Sequence, residues 1–368
     1  MAVKLLENYG LTFDDVLIVP KRSSVRSRKD VCLKSRLVGD LSLDLPILSA
    51  NMDTVTEERM AKAMHELGGL GVIHRFIADP QEHADMVSRT PGIKLIAIGV
   101  KPSDLDKVAL VQGLDAVLID VAHGHHDRVM ETIQAVRERF PGVWVIAGNV
   151  ATPEGVWDLL EAGAHAIKVG VGPGAVCTTR IVTGCGMPQL SAIIKARATI
   201  NRWWDVEKRR GKPRLRFAPT LIADGGIRNS GDIVKALVAG ADTVMIGSLF
   251  AGTDEAPGEI IERAGESYKL YRGMASAGAQ EVVGSDRTPE GISTYIPYKG
   301  SVVPLLRELE GGIRSGLSYC NSYSMEDLQQ QTIELVKVTA ASMRESLPHA
   351  AFIAPGASAA QSNVPQSV

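Results

Sequence analysis

The sequence predicts a single α/β domain, a closed (β/α)₈ barrel with an N-terminal segment wrapped around it and a long active-site loop after the eighth strand. Eight short apolar runs alternate with amphipathic segments of helical periodicity. The runs are rich in Val and Ile and are bounded by Gly, Asp or Asn, as expected for parallel strands covered on both faces. Polar residues follow strand after strand, and in a barrel all these ends meet at one mouth. An open doubly wound sheet is the alternative, and the count of eight favours the barrel.

The predicted elements follow one another in regular order. The strands are 46–50, 69–73, 94–99, 116–120, 144–148, 166–170, 220–224 and 243–247. The helices between them are 57–67, 80–88, 103–112, 127–140, 153–162 and 229–239. Thr152 is a suitable N-cap, Pro153 suits the first helical position, and Gly240 suits a helix end.

Four segments fall outside this repeat. Residues 1–45 are expected to wrap the barrel, and 201–216, with the basic run 208–212, is interpreted as a solvated loop. Residues 268–316 are rich in Gly, Ser and Tyr and are predicted to be a long loop containing an active-site flap at about 274–300. The catalytic domain is predicted to span 1–352, and 353–368 is expected to be a disordered tail.

Composition limits the functional classes. Hydrophobic residues make up 45% of the 368 residues and the formal net charge is −2, which does not favour nucleic acid or an anionic membrane as a partner. No apolar run approaches the roughly 20 residues that span a bilayer, and the first residues lack the apolar core of a signal peptide. A cytoplasmic location is expected. Four cysteines without a Cys-x-x-Cys pair indicate neither zinc nor a disulfide scaffold.

The strongest local signal is a glycine-rich loop that carries a cysteine. Gly170, Gly172 and Gly174 follow the sixth strand and precede Cys177. Glycines allow positive φ and leave carbonyls and amides free to face a ligand. Neighbouring amides and Arg180 are expected to favour the thiolate. A buried structural thiol is the usual alternative, but the strand end and the Cys-Thr-Thr-Arg run favour a nucleophile here.

A phosphate site is predicted on the next two loops. Barrels commonly bind phosphate on the amides after strands seven and eight, and Asp224 suits a ribose diol. Asp53 and Asp120 also follow strands; Asp53 is equally a ligand or a helix cap, and Asp120 is interpreted as a ligand. The loop histidines lack a zinc spacing, so no transition metal is predicted. The phosphate-site residues are Asp224, Gly225, Gly226, Gly247 and Ser248.

Together these stretches resemble the IMP dehydrogenase / GMP reductase family over about residues 10–350. In that family a cysteine, here Cys177, attacks C2 of a purine nucleotide to give a covalent thioimidate, and a nicotinamide exchanges hydride with C2. The dehydrogenase oxidises IMP to XMP with NAD; the reductase converts GMP to IMP and ammonia with NADPH. The resemblance also implies bound K⁺ and a homotetramer. The matching stretches are 11–17, 49–55, 170–180, 183–189, 222–227, 271–274 and 298–300.

Departures from the family pattern favour GMP reductase. The CBS domain pair of most dehydrogenases has no room between Ile73 and Pro80, and Arg287 is followed by Thr288 instead of the tyrosine of the dehydrogenase flap. The spacing from Arg287 to Glu290 resembles the reductase, as does Asn51. Stretches 289–292, 297–301 and 344–349 look dehydrogenase-like, so IMP dehydrogenase is the alternative. A non-catalytic nucleotide-binding protein is a third hypothesis.

The resemblance implies specific roles for named residues. Cys177 is the nucleophile, and Thr179 with Glu290 is the couple that handles the ammonia proton. The nucleotide pocket adds Gly273, Met274, Arg287 and Gly291 to the phosphate-site residues. The carbonyl groups of Gly172, Gly174 and Cys177 correspond to the K⁺ site. Cofactor candidates are Asp120, Val121 and Ala122 for the nicotinamide and, more weakly, Ser27, Arg28 and Arg75.

Overall fold

The structure is a computed structural model that describes residues 10–282 and 287–346. The predicted tail at 353–368 and flap residues 283–286 lie outside these ranges.

The described part of the segment before the first barrel strand, residues 10–45, wraps the barrel, as predicted. Its strands are β1 (Val16–Ile18), β2 (Ser35–Val38) and β3 (Leu41–Leu43). β1 pairs antiparallel with residues near the C-terminus, and β2 and β3 form a hairpin. The Thr220 hydroxyl donates to the Leu37 carbonyl oxygen, which seats this hairpin on the amino-terminal end of the barrel.

Eight parallel strands form the barrel, and all eight coincide with predicted runs. They are β4 (Ile47–Ser49), β5 (Leu70–Gly71), β6 (Leu95–Ile98), β7 (Ala116–Asp120), β8 (Trp144–Val150), β9 (Ala166–Val169), β10 (Thr220–Asp224) and β11 (Thr243–Ile246). Their order is β5-β4-β11-β10-β9-β8-β7-β6. A parallel bridge between Ile73 and Ile96 joins the two ends of this order. The sheet is therefore closed, which confirms the barrel over the open alternative.

Helices cover the outside of the barrel; six lie at the predicted places, and those at Thr179–Thr183 and Gln189–Arg209 were not predicted. They are α1 (Glu58–Glu66), α2 (Pro80–Arg89), α3 (Asp104–Leu110), α4 (Asp127–Arg139), α5 (Pro153–Ala162), α6 (Thr179–Thr183), α7 (Gln189–Arg209) and α8 (Ser230–Val238). Thr152 caps α5 by accepting from the Gly155 amide, as predicted. Among the helices in the described ranges, none is both long and apolar enough to cross a bilayer.

Side chains alternate between two buried layers along each barrel strand. Leu118 and Ile146 point inward and pack with the hairpin residues Leu37 and Leu43 in the barrel interior. Residues of the opposite parity, such as Ile119, pack outward against the helices. This period of two explains why each strand reads as a continuous apolar run, since both of its faces are buried.

The prediction of a solvated loop at 201–216 is wrong in part. Its first half continues α7 to Arg209, and Trp203 is only 1% exposed. Arg214 pairs with the fully buried Glu207 and with Glu161, which also accepts from the Trp203 indole. The basic run at 208–212 is exposed, as expected. The charged residues concealed this helix because Glu207 is buried while its partner Arg214, 38% exposed, covers it from the solvent side.

The prediction of one long loop at 268–316 is also wrong. Two strands in this range pair antiparallel and, with a third strand just before it, form a small sheet, and a long helix that packs on α8 follows. The alternation in Ser267-Tyr-Lys-Leu-Tyr271 was the strand signal, and the Gly, Ser and Tyr content obscured it. The elements after the barrel are β12 (Ile261–Arg263), β13 (Glu266–Arg272), α9 (Ala277–Val282), β14 (Ser293–Pro297), α10 (Val302–Tyr319), α11 (Met325–Gln330), β15 (Leu335–Lys337) and α12 (Ala340–Glu345).

Two buried histidines, His83 on α2 and His165 just before β9, make the fold sensitive to acid. Burial, reinforced by Lys107, lowers the pKa of His83 to about 3, and burial with Arg137 lowers the pKa of His165 to about 4. Both are neutral when folded and take up protons on unfolding below about pH 6.5. Their stabilising contribution is complete above that pH. We expect them to lower the free energy of unfolding by about 2.7 kcal/mol per pH unit as pH falls from about 6 towards 4.

Denaturant titrations across this pH range check the prediction. His165 Nδ1 accepts from the Val145 amide at 3.0 Å, and His165→Asn keeps an acceptor there without a titrating group. His165→Asn and His83→Leu should each remove about 1.4 kcal/mol per pH unit from the slope. An unchanged slope in both variants would contradict the prediction.

Candidate active site

The cysteine loop lies at the carboxyl end of β9. A Cβ on Gly170 would sit 2.1 Å from the Asp224 carbonyl oxygen, so only glycine lets the ends of β9 and β10 approach this closely. The loop then turns back, and the Cys177 amide donates to the Gly174 carbonyl oxygen at 3.1 Å. The Cys177 thiol is half-buried, and its Sγ donates to Thr179 Oγ1 at 3.2 Å. The Cys177 thiol and the neighbouring Thr179 hydroxyl are therefore in contact at the barrel mouth.

Arg180 holds the loop backbone rather than the sulfur. Its guanidinium donates to the carbonyl oxygens of Met187 at 2.6 Å and Val171 at 3.3 Å, and its stem lies against Gly172. In the described ranges Arg180 makes no hydrogen bond to Cys177, contrary to the expectation that it acts on the thiolate directly. The reason is that the loop exposes carbonyl oxygens, and the guanidinium of Arg180, with its five N–H donors, forms hydrogen bonds to them.

The flap segment 290–292 docks directly on the cysteine loop. The Thr178 amide donates to the Glu290 carbonyl oxygen at 2.9 Å, and the Ile292 amide donates to that of Val176 at 3.0 Å. On its other side the Glu290 amide donates to the Ala275 carbonyl oxygen. Gly291 faces the Val176 carbonyl, where a Cβ would lie only 3.1 Å from the oxygen. Backbone pairing thus fixes Glu290 beside Cys177 and Thr178.

A buried lysine joins two carboxylates at the mouth. Lys168 Nζ lies 2.8 Å from Asp120 Oδ1 and 2.5 Å from Asp224 Oδ2. Asn51 donates to Asp120 Oδ2 and Asn149 donates to Asp224 Oδ2, both at 2.9 Å. Five strand ends therefore contribute to one polar network. The sequence motif that begins at Lys168 was recognised for its glycines and cysteine, and the role of the lysine was missed.

The network keeps its groups ionised despite burial. Burial opposes the charge of Asp120, but the Lys168 ammonium and the Arg75 guanidinium outweigh it and hold the pKa of Asp120 below its ordinary value. Burial also opposes the charge of Lys168, and the two carboxylates reverse this and raise the pKa of Lys168 above its ordinary value. Both side chains are therefore charged near neutral pH.

The predicted phosphate corner lies beside this network. Gly225 and Gly226 adopt φ of 90° and 83°, a region that favours glycine, and they follow Asp224 directly. A Cβ on Gly247 would lie 3.1 Å from the hydroxyl of Tyr271. Burial, reinforced by the Asp224 carboxylate, raises the pKa of Tyr271, so its hydroxyl is a proton donor. Sequence analysis missed Tyr271, although it recognised the stretch 271–274 that begins with this residue.

A basic groove of about 440 Å³ opens beside the ends of β6 and β7. Arg75, Lys101, Arg128 and Arg287 outnumber its two acids. The Arg75 Nε is buried without a hydrogen-bond partner among the described residues, so it can take an anionic or carbonyl ligand. The full lining is Arg75, Gly99, Val100, Lys101, Pro102, Asp104, Val121, Arg128, Glu131 and Arg287.

The other predicted site residues lie in different settings. Arg287 is on the groove wall, while Gly273 packs on Gly291 beside the cysteine loop. Ser27 caps the short 3₁₀ turn Arg28–Asp30, which packs on α10 and is not part of the groove lining. In residues 10–282 and 287–346 no hydrogen bond joins the Glu290 carboxylate to Thr179.

Asp53 is neither a helix cap nor an open ligand. Its carboxylate pairs with Arg272, and its amide lies 3.4 Å from the Met274 sulfur. Glu57 occupies the N-cap position of α1 instead. Asp53 therefore fixes the start of the flap, since Arg272 and Met274 lie where the chain leaves β13.

Comparisons with known proteins point to one family with two activities. A family model described as the IMP dehydrogenase / GMP reductase domain matches residues 10–349. The inosine-5'-monophosphate dehydrogenase of Halalkalibacterium halodurans is 34% identical, covering 92% of this chain and 96% of that protein. The GMP reductase of Leishmania major is 33% identical with the same coverages. Among solved structures, a GMP reductase variant from Trypanosoma brucei in complex with guanosine 5'-monophosphate superposes with a TM-score of 0.83 at 31% identity, covering 94% of this chain and 98% of that chain.

Proposed function

This chain belongs to the IMP dehydrogenase / GMP reductase family of purine-nucleotide oxidoreductases, and we propose that its reaction is the NADPH-dependent conversion of GMP to IMP and ammonia. The observation that carries the proposal is the docking of residues 290–292 on the cysteine loop. It keeps the Glu290 backbone beside Cys177, and in the proposed complex this would bring Glu290 near C2, where an amine leaving group needs a proton. A flap that swings into the cofactor site would have to break these backbone bonds.

The proposed chemistry follows from the placement of Cys177. Its thiolate attacks C2 of GMP and forms the S–C2 bond of a thioimidate. Thr179 and Glu290 deliver the proton with which the C2 amine leaves as ammonia. The nicotinamide cofactor, when bound, supplies the hydride that C2 accepts. The sulfur then leaves C2 as thiolate and IMP is released, so one GMP, one NADPH and two protons give IMP, NADP⁺ and ammonium.

The nucleotide would be held by the corner around Gly247. The amides of Gly226, Gly247 and Ser248 and the Tyr271 hydroxyl would offer donors for its phosphate, while the Gly225 amide donates to the Met245 carbonyl oxygen at 3.4 Å and fixes the turn. The second oxygen of Asp224 is left for the ribose hydroxyls, because Lys168 and Asn149 both use Oδ2. In this arrangement Gly273, Met274 and Gly291 complete the wall around the base.

The basic groove would take the cofactor, with Asp120, Val121 and Ala122 on the nicotinamide side. Its four cations against two acids favour a ligand with several phosphates, as in NADPH. Ser27 and Arg28 lie outside its lining and stay weaker cofactor candidates.

Glutamate substitution of Lys101 or Arg128 tests this assignment. We expect the KM for NADPH to rise at least about tenfold, because reversing a charge opposes phosphate binding, while the KM for GMP changes less than about threefold. Arg139→Glu is the matched control, since Arg139 is an exposed residue near the far end of α4. Equal effects of the three variants on the KM for NADPH would contradict the groove assignment.

The cysteine loop also suits a potassium ion. Gly172 has a φ of 84°, and a Cβ on Gly174 would lie 3.4 Å from that of Cys177, so these residues surround a tight turn. The Gly174 carbonyl accepts from the Cys177 amide and keeps a second lone pair. We propose that the carbonyl oxygens of Gly172, Gly174 and Cys177 hold K⁺, which would fix the turn that carries the nucleophile. A homotetrameric assembly and a cytoplasmic location are also proposed.

IMP dehydrogenase is the second candidate. The observation that favours it is Arg287, which lies on the groove wall with Arg75 and Val121, where an arginine can act on water after the cofactor leaves. The similarity to dehydrogenases matches that to reductases.

Turnover assays separate the candidates. The enzyme, in K⁺ buffer, is mixed with GMP and NADPH or with IMP and NAD⁺, and the absorbance of the reduced cofactor is followed. We expect oxidation of NADPH in the first mixture and no XMP in the second. Steady XMP formation would overturn the reductase assignment, and binding of GMP without turnover in either mixture would favour a non-catalytic nucleotide-binding protein.

A further inference from the structure

Lys168 occupies a position that none of the proposed chemical steps uses. It lies on β9, between the strands that end in Asp120 and Asp224, and its side chain is only 2% exposed. Two of its three N–H groups point to the two carboxylates. Burying an ammonium costs free energy unless it is fully paired. Lys168 is nevertheless placed in a barrel interior that is otherwise mostly apolar.

Both carboxylates are held by protein donors and stay partly exposed. Asn51 and Lys168 take the two oxygens of Asp120, and Asn149 shares Asp224 Oδ2 with Lys168. The side chains of Asp120 and Asp224 are 18% and 19% exposed, both towards the mouth. Within the described ranges, Asp224 Oδ1 has no protein donor. The lysine therefore fixes two outward-facing acceptors at one separation.

We propose that Lys168 is a positioning residue that couples the two binding sites, holding Asp224 for the ribose of the nucleotide and Asp120 for the nicotinamide side of the cofactor. The assignment of each carboxylate to a ligand rests on the proposed function. Because one ammonium pairs with both carboxylates, moving or removing one carboxylate changes the position of the other. A lysine suits the place because its charge is compact, whereas the planar fork of arginine favours pairing with one carboxylate.

Lys168→Met tests the proposal through separate binding measurements. Calorimetric titration with GMP and, independently, with NADP⁺ should show both dissociation constants raised at least about tenfold. The acid limb of the kcat/KM profile should also move to higher pH, because the Asp120 carboxylate beside Asn51 loses the Lys168 charge that lowers its pKa and keeps that of Arg75. Lys168→Gln, which keeps two N–H donors and loses the charge, should show the same changes in smaller degree.

Lys269→Met is the matched control. Lys269 is also 2% exposed, and its Nζ donates to the carbonyl oxygens of Thr253 at 3.0 Å and Ala256 at 2.5 Å. This variant should lose thermal stability as Lys168→Met does and keep both dissociation constants within about twofold. If a folded Lys168 variant bound both ligands like the wild type, or lost only one of them, the coupling would be disproved.

A second experiment tests the coupling without substituting Lys168. Asp224→Asn removes one of its two partners, so Lys168 shifts towards Asp120, and the dissociation constant for NADP⁺ in the absence of nucleotide should rise at least about threefold. No change there would count against the coupling even if the Lys168 variants failed to fold. Wild-type turnover reports separately on the proposed function, because it fails if neither substrate pair reacts, whatever the binding data show.

Discussion

Cys177→Ala is expected to reduce kcat for GMP reduction at least about 10⁴-fold, because the reaction then has no nucleophile to form the S–C2 bond. The affinity for GMP should change less than about threefold, since the phosphate corner and Asp224 are untouched. Rapid-mixing kinetics and calorimetry measure the two quantities.

Cys185→Ala is the control for the loss of a thiol. Cys185 is exposed eight residues further along the chain, where its amide and thiol contact only Thr183 among the described residues. Its variant should keep wild-type kcat. A Cys177→Ala enzyme with more than about a tenth of wild-type activity would be incompatible with covalent catalysis.

Glu290→Gln should separate ammonia release from hydride transfer. We expect steady-state GMP reduction to fall about 10²- to 10⁴-fold, because the amide cannot supply the proton that the departing amine requires. Reduction of NADP⁺ by IMP in a single turnover forms the same thioimidate without ammonia and should keep close to the wild-type rate. Stopped-flow absorbance of the reduced cofactor follows both reactions.

Thr179→Val should reproduce this split, since Thr179 is the hydroxyl in contact with the Cys177 sulfur. The control is Glu281→Gln, an exposed carboxylate on α9 nine residues before Glu290. Equal losses in both reactions would show instead that Glu290 supports the cysteine loop rather than proton transfer.

The barrel could be read from the sequence because burial on two faces leaves a clear pattern. Runs such as 116–120 and 220–224 became strands with the same bounds, and Thr152 capped its helix. The glycine spacing before Cys177 likewise predicted a tight turn, and Gly170 shows why it is required. Local sequence patterns were sufficient for the prediction at positions where backbone geometry alone restricts the residue type.

Contacts between residues that are far apart in the sequence could not be predicted from it. In the sequence Lys168 is a single polar residue in an apolar strand, and its partners Asp120 and Asp224 are 48 and 56 positions away. Glu207 is expected to be solvated for the same reason, although it is fully buried beneath the partly exposed Arg214 with which it pairs. Tyr271 and Arg272 lie in β13, which pairs with β12 and β14, whereas their side chains meet Gly247 and Asp53 of the barrel. In each case the chemistry depends on which elements the fold brings together.

The claim on which the mechanism depends is a covalent bond between the Cys177 sulfur and purine C2. Mass spectrometry of enzyme quenched in acid during turnover with GMP and NADPH measures it directly. We predict a purine-nucleotide adduct on the peptide that contains Cys177, formed and lost at the rate of turnover. Full turnover with no adduct on that peptide, or with an adduct on Cys185 instead, would contradict the account.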